Sequence, residues 1–489
     1  MTESRPAAPR PRLVVVGCGM AATRLVEELV GRRACERMDI TVLGDEPVAP
    51  YNRILLSAVL EGVHRADALN LRSPAWYAEQ GVDLRLGTRV LAVDRERRDV
   101  MLVDGTLVGY DVLVLATGSI PSLPPIRGLV RMDGSLHPAV HAFRSMADCE
   151  RLVAALPGRR RAVVVGGGLL GLQVARALGV RGVETEIVEG AERLLHRQID
   201  PAAGRILTRD LRRLGVAVYT GARAVRLHEQ DPPVDGVALR LDNGVTLDTD
   251  LVVLTAGGRP STALARAAGL EVRRGIVVDD RLASVTDPAV HAIGDCAEHS
   301  GRTTGFVPPA WDQARVLARI LCGEPVTYDG SRIVARLRAT DLDVAVLGDA
   351  AAETAAGGEV VEVANPVAGS HRRLVVREGR IVAATLVGDL SQVGLITQHF
   401  DRQTVLGLHE PGRLLMPERR GGAADSVVGP LPDDAEVCAC AGVSAGRIRA
   451  CSSLDQVRDT TRATTGCGGC ADTVRQLLAA RPAAAAVPS

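Results

Sequence analysis

The sequence predicts an α/β chain with two Rossmann-like dinucleotide-binding domains, then a small α+β domain and a compact cysteine-rich module. Three observations predict it. The order strand, glycine-rich turn, helix, strand occurs at residues 12–46 and again at 161–189. Apolar alternation without any phosphate-binding loop follows from about residue 325 to 417. Five of the ten cysteines then crowd together as Cys438, Cys440, Cys451, Cys467 and Cys470.

A chain of 489 residues exceeds one hydrophobic core, and at roughly 100–200 residues per domain it holds three or four units. Its 58 basic and 58 acidic side chains balance, so nothing steers it toward nucleic acid or an anionic membrane. Every basic residue is Arg and none is Lys, which excludes Schiff-base and lysine-base chemistry. No apolar run approaches the roughly 18 residues of a membrane span. Arg10-Pro11-Arg12 before Leu13–Cys18 superficially looks like a lipoprotein leader, but the apolar run is short and Glu27 and Glu28 follow. A nucleotide-binding strand explains it better. Size and Rossmann-like pattern argue against a secreted disulfide framework. The expected setting is cytoplasmic, where clustered thiols point to a metal or cluster.

In the first unit a strand at Leu13–Val16 leads into Gly17-Cys18-Gly19-Met20-Ala21-Ala22, a helix at Ala21–Val30 and a strand at Ile40–Leu43. Gly17 permits the tight turn, Gly19 admits a pyrophosphate, and Ala22 lets helix and strand pack closely. The pyrophosphate sits on the helix N-terminus. Asp45 and Glu46 close the next strand and offer acceptors to ribose hydroxyls. Gly-x-Gly-x-x-Ala alone also fits a turn that only packs tightly; the strand–turn–helix–strand–acid order is what points to a nucleotide.

The second unit repeats this with Ala162–Val165, Gly166-Gly167-Gly168-Leu169-Leu170-Gly171, a helix at Leu170–Leu178 and a strand at Glu186–Val188. Glu189 follows. A carboxylate there accepts from the 2′-hydroxyl and repels a 2′-phosphate, which favours NADH over NADPH; Arg193, four residues on, works against that inference. Short strands at Val112–Leu115 and Leu251–Leu254 each lead into Ala-x-Gly. The third domain shows strands at Ile333–Leu337, Val344–Leu347, Arg373–Val376 and Ile381–Leu386.

The succession of both glycine turns with Ala116-Thr117-Gly118, Ala256-Gly257-Gly258-Arg259-Pro260 and Ile293-Gly294-Asp295 resembles the two-dinucleotide-domain flavoprotein reductases, over residues 12–325. The resemblance implies a first FAD segment at 12–125, an inserted NAD domain at 126–245 and a second FAD segment at 246–325. It implies FAD contacts from Gly17, Gly19, Met20, Ala21, Ala22, Asp45, Glu46, Arg53, Val90, Ala116, Thr117, Gly118 and Asp295. Arg53 enters through Pro50-Tyr51-Asn52-Arg53, similar to the family's Pro-Tyr-x-Arg flavin loop. Asp295 meets the ribityl–phosphate region, its bland alternative being a helix cap. NAD contacts are implied for Gly166, Gly168, Leu169, Leu170, Gly171, Glu189 and Gly257. No side chain is expected to be catalytic, because hydride passes between cofactors.

Two departures narrow the reaction. No Cys-x4-Cys follows the first helix and no cysteine lies in Leu55–Gly62, against a dithiol or redox-thiol reductase. Many ferredoxin reductases and the apoptosis-inducing factor carry Lys and Glu where this sequence has Ala58 and Gln173.

Cys438-Ala439-Cys440, a 26-residue gap and Cys467-Gly468-Gly469-Cys470 supply four thiolates, suited to zinc or an iron–sulfur cluster. Zinc ribbons usually pair two Cys-x2-Cys knuckles, and the Gly-Gly insert lets N–H groups turn toward sulfur. Cys451 fits no ligand spacing. The segment resembles the bacterioferritin-associated ferredoxin module, a small helical [2Fe–2S] binder, with a shortened gap; residues 436–480 form it, after a small α+β domain at 326–417 and a polar linker at 418–435.

Over residues 12–478 the whole arrangement resembles the N-terminal part of the large subunit of assimilatory NADH-dependent nitrite reductase. Ala49-Pro50-Tyr51-Asn52-Arg53-Ile54-Leu55-Leu56-Ser57 and Leu386-Val387-Gly388-Asp389 carry this. That family continues into a sirohaem region, whereas this sequence ends after the cysteine module. The expectation is therefore an electron-transfer subunit that passes electrons from NADH through FAD and a [2Fe–2S] cluster. Its partner is a molybdenum-containing assimilatory nitrate reductase or another acceptor protein. A ferredoxin or rubredoxin reductase, part of a nitrite reductase system, and a nonenzymatic iron–sulfur or zinc scaffold stay open. Oligomeric state stays open too, a homodimer included.

Overall fold

The computed structural model describes residues 9–229, 236–332, 334–339, 342–416, 431–438, 442–461, 463–464 and 470–479. They divide into two compact units, Met1–Arg53 with His64–Ser122 and Gly257–Ser331, and Ile54–Val63 with Leu123–Ala256 and Arg332–Ser489.

The first unit is built on a five-stranded parallel sheet in the order Val290–Ala292, Val112–Leu115, Arg12–Val16, Asp39–Leu43, Val82–Arg85. Leu13, Val14 and Val15 are all buried, the unbroken apolar run of a strand covered on both faces. The helix Met20–Gly31 buries Ala22, Leu25, Val26 and Leu29, one stripe of an amphipathic helix, and packs against Val307–Leu321. Full burial of Leu25 and Leu29 contributes roughly 1.5–3 kcal/mol each. A three-stranded antiparallel sheet, Val90–Asp94, Asp99–Leu102 and Leu107–Gly109, adds to this core.

The second unit holds another five-stranded parallel sheet, ordered Ala217–Thr220, Glu184–Glu189, Arg161–Val165, Leu251–Leu254, Val140–Ala142. The NAD domain expected at 126–245 is therefore too short. Leu251–Leu254 pairs with Arg161–Val165 inside this sheet, and the chain crosses to the other unit only after Ala256. The helix Leu56–Glu61 also belongs here, packed on Met146–Ala155 and Leu169–Val180.

The third domain is a five-stranded antiparallel sheet in the order Val334–Ala339, Leu342–Leu347, Arg380–Val387, Ser370–Arg377, Glu359–Asn365. Val393, Ile396 and Phe400 of the helix Val393–Arg402 fill its core. Pro201–Arg213, the helix after the strand Glu184–Glu189, packs on three of these strands. In the cysteine module the short helices Ala445–Arg449, Leu454–Thr461 and Ala471–Ala479 surround Val443, Ile448, Val457 and Val474. Residues 418–430 of the expected linker at 418–435 lie outside the described residues.

Candidate functional site

The first glycine turn begins where Val16 pairs with both Leu43 and Leu115. Gly17 has φ of 109°, and a Cβ there would overlap the carbonyl oxygen of Ala116. Only glycine lets the turn seat itself on Ala116-Thr117-Gly118. Around Gly19 a Cβ would meet nothing within 4 Å. Gly19 caps the helix Met20–Gly31 with no side-chain hydrogen bond and no acid in its first turn, so the N–H groups of Met20, Ala21 and Ala22 present an anion site. This open, uncapped cradle fits a dinucleotide pyrophosphate.

Two strands bring the remaining residues to the same edge. Val290–Ala292 pairs with Val112–Leu115, placing Ile293-Gly294-Asp295 beside Ala116-Thr117-Gly118. The Ser119 hydroxyl donates to Asp295 Oδ2 at 2.6 Å, Thr117 Oγ1 donates to Ser261 O at 2.7 Å, and Gly294 N–H donates to Gln313 Oε1 at 2.7 Å. Asp295 is no helix cap, since the helix Val307–Leu321 starts well beyond it with Phe306 at its N-cap. Ser119 and Gln313 were not legible as site residues, although Ser119 directly follows Thr117-Gly118.

Asp45 and Glu46 part ways. Asp45 is exposed, whereas Glu46 accepts from Tyr51 Oη at 2.8 Å and pairs with Arg53. Arg53 also stacks over the Tyr51 ring at 5.3 Å, so Pro50–Arg53 and Glu46 form one tied loop. Val90 begins the strand Val90–Asp94 and packs on the core of this unit. Burial, with Glu46 adding to it and Arg53 opposing, pushes the Cys18 thiol up to about 12. Burial also raises Cys296, whose Sγ donates to the Leu115 and Ile293 carbonyls. Both are protonated at neutral pH and unsuited to thiolate chemistry.

The second turn repeats the design. Gly166 has φ of 120°, and a Cβ there would lie 2.6 Å from Thr255 O. A Cβ on Gly171 would overlap Gly166 O, so the third glycine holds helix against turn. Gly168 is open and caps Leu169–Val180 without a side-chain bond, leaving Leu169 and Leu170 N–H groups for an anion. Glu189 Oε2 accepts from Gly167 N–H at 2.7 Å and Oε1 from Ala191 N–H at 2.8 Å. Arg193 is turned to its own loop, with Nε on Ile199 O at 3.1 Å and Nη2 on His196 O at 2.9 Å. Its guanidinium is thus bonded within the loop that follows Glu189. Gly257, expected among the NAD contacts, opens a segment of the first unit, where its carbonyl accepts from Ser122 N–H.

Ala58 and Gln173 lie on the helices Leu56–Glu61 and Leu169–Val180. One turn further along the same helices, Arg176 grips Glu61 through two bonds of 2.5 and 3.0 Å.

In the cysteine module Cys438 and Cys470 are buried in one core with Cys451, and Cys440 and Cys467 lie outside the described residues. Thr464 N–H donates to Cys470 Sγ at 3.2 Å from a backbone with φ of 71°. Such N–H···S bonds stabilise cluster sulfur, so the described cysteines fit a cluster. Cys451 Sγ is engaged with Arg447 O and Thr460 Oγ1, in keeping with a bystander. Among the described residues no helix is long and apolar enough to cross a membrane.

Two open glycine cradles on separate parallel sheets, and a cysteine module in the same chain, are the parts of an NAD(P)H-dependent flavoprotein oxidoreductase with an iron–sulfur domain. The chain belongs to the pyridine nucleotide-disulphide oxidoreductase family, whose model matches residues 11–314. Residues 436–480 match the BFD-like [2Fe–2S] binding domain. Its cofactors are FAD, NAD(P)H and a [2Fe–2S] cluster, and the scaffold reading falls. The chain is similar to nitrite reductase [NAD(P)H] of Bacillus subtilis (strain 168), 34% identical over 96% of this chain and 57% of that protein. The assimilatory nitrate reductase electron transfer subunit of the same organism is 30% identical over 96% of this chain and 59% of its own length. The chain thus spans little more than half of these two relatives. The solved covalent putidaredoxin reductase–putidaredoxin complex matches with a TM-score of 0.73 and 28% identity, over 83% of this chain and 96% of that one.

Proposed function

We propose that this chain is a cytoplasmic NADH-oxidising electron-transfer component that serves a separate molybdenum-containing assimilatory nitrate reductase. The carrying observation is the similarity to an assimilatory nitrate reductase electron transfer subunit over 96% of the chain, cysteine module included.

In this reading Gly17, Gly19 and the N–H groups of Met20–Ala22 hold the FAD pyrophosphate, with Glu46, Arg53, Ala116–Gly118 and Asp295 around the rest. Val90 and Asp45 complete the set expected from the sequence. Gly166, Gly168–Gly171 and Glu189 hold NADH, with Gly257 as an outlying contact. Cys438, Cys440, Cys467 and Cys470 ligate the cluster. Bound FAD supplies the conversion from hydride donor to one-electron donor, and the cluster a one-electron relay. The protein's part is to fix both nucleotides by backbone N–H groups and to keep its buried thiols Cys18 and Cys296 out of the chemistry.

The test is anaerobic reconstitution with NADH and a purified molybdenum nitrate reductase. Nitrate consumption that needs both proteins supports the reading. Reduction of a ferredoxin at comparable rate without turnover of nitrate would replace it with a ferredoxin reductase, the reading favoured by the similarity to the putidaredoxin reductase structure. Nitrite consumption by this chain alone would place it in a nitrite reductase system.

A further inference from the structure

The loop from Glu189 to Asp200 has a carboxylate at each end, and both are anchored. At its start Glu189 accepts from Gly167 N–H. In its middle Leu195 N–H donates to Gly167 O at 3.0 Å, and Leu194 Cδ2 fills the space a Cβ on Gly167 would need. Leu195 holds φ of 49°, a left-handed backbone that is unfavourable for Leu and persists only where surroundings impose it. Leu194 and Leu195 are both buried. The loop therefore forms one wall of the second glycine turn.

At its far end Asp200 does two things. Oδ1 accepts from Ala202 N–H at 2.9 Å and Ala203 N–H at 3.1 Å, capping the helix Pro201–Arg213. Oδ2 accepts from His371 Nε2 at 2.8 Å. A carboxylate only accepts, so His371 carries its proton on Nε2. His371 belongs to the third domain, on the strand Ser370–Arg377, and is completely buried. Its Nδ1 has no hydrogen-bond partner and lies 3.8 Å from Glu362 Oε1. Arg373 Nη1 stands 3.9 Å from the same Asp200 oxygen. A buried imidazole costs free energy unless it is hydrogen-bonded, and here Asp200 supplies the bond.

We propose that His371 is a positioning residue of the nicotinamide-nucleotide site. Resting on the reading that NADH binds over Gly166–Gly171 and Glu189, the third domain fixes the wall of that site through His371, Asp200 and the loop whose Leu195 N–H donates to Gly167 O. Removing His371 loosens the wall and weakens nucleotide binding, while the chemistry of the bound flavin is untouched. The third domain, which has no glycine turn of its own, thereby acquires a part in NADH recognition.

The test uses the flavin-loaded full chain, with ferricyanide as acceptor for steady-state rates and calorimetric titration with NAD+ for binding. His371→Ala is expected to raise the KM for NADH and the Kd for NAD+ by about tenfold, with kcat changed less than about twofold. His371→Gln, whose Nε2 can still donate to Asp200, restores most of the loss. If His371→Ala yields no folded protein, Asp200→Asn carries the same test, because its amide oxygen still caps the helix while the charge facing His371 is gone. Glu189→Ala is the control on the site itself. Wild-type NAD+ affinity in His371→Ala, beside weakened affinity in Glu189→Ala, overturns the proposal and leaves the site standing. Wild-type affinity in both overturns the site assignment and the proposal with it.

Discussion

Glu189 and Gly167 are joined by a 2.7 Å hydrogen bond in which the carboxylate accepts from the backbone of the glycine turn. The second oxygen is held by Ala191 N–H, so the side chain has a fixed direction. Each oxygen retains a further lone pair for a ribose hydroxyl. Glu189→Ala is expected to raise the KM for NADH by about tenfold and to improve NADPH relative to NADH, one lost charge-assisted contact being worth about that much. Arg193→Ala, with its guanidinium committed to His196 O and Ile199 O, lowers thermal stability and leaves the NADH-to-NADPH ratio unchanged. Steady-state kinetics with both nucleotides checks the pair.

Gly17→Ala places a methyl on the Ala116 carbonyl oxygen at a φ of 109°. Overlap and backbone strain act together, and together they exceed the roughly 1–3 kcal/mol of an ordinary strained residue. The variant is expected to purify without bound flavin, while NAD+ binding at the second turn persists. The visible absorption of the purified protein, set against a calorimetric NAD+ titration, decides it.

The glycine turns were legible because their constraints are local: a tight turn and a close backbone approach admit glycine and little else. Glu189 was legible for the same reason, closing the strand that follows the turn and its helix. The fate of Arg193 was not, since sequence carries no sign of which carbonyls fold back on a guanidinium. The strand Glu359–Asn365 escaped notice because none of its residues is buried, and an edge strand gives little apolar contrast. The crossing after Ala256 was missed because Leu251–Leu254 reads equally well as either sheet's strand, and only its pairing with Arg161–Val165 assigns it. His371 had no motif at all, its partner Asp200 lying 171 residues away.

Arg176 and Glu61 make a two-pronged pair whose side chains are 15% and 12% exposed. Arg181 adds Nε to Leu60 O at 2.9 Å, so the helix Leu56–Glu61 is held to Leu169–Val180 by two arginines. Glu61→Gln is expected to cost about 2–3 kcal/mol, toward the lower end for breaking a buried pair because some water reaches this one. Glu61→Leu with Arg176→Leu together costs less than the sum of the two single changes. Denaturant unfolding of the four proteins measures the coupling.

Thr464 sits at φ of 71° with its N–H on Cys470 Sγ. A β-branched residue is unfavourable in that region. Thr464→Gly keeps the N–H and relieves the backbone, so it is expected to stabilise the cysteine module by about 1 kcal/mol. Thermal melting followed by visible absorption of the cluster reads the gain, and an unaltered electron paramagnetic resonance spectrum shows that the N–H···S bond survives.

Acid should find Asp200. Burial alone would raise its carboxyl, but the His371 hydrogen bond and the N–H groups of Ala203 and Ala202 outweigh it and bring the group down to about 2 from an ordinary 3.8. A folded-state value below the unfolded one means that stabilisation is complete above about pH 4 and is lost as pH falls through about 2. The shift corresponds to about 2 kcal/mol. Asp200→Asn removes that contribution at neutral pH and flattens this part of the acid limb, because nothing is left to protonate. Denaturation midpoints measured from pH 7 down to about pH 2 in both proteins should therefore converge as acid is added; parallel curves would mean that Asp200 does not hold its charge against His371.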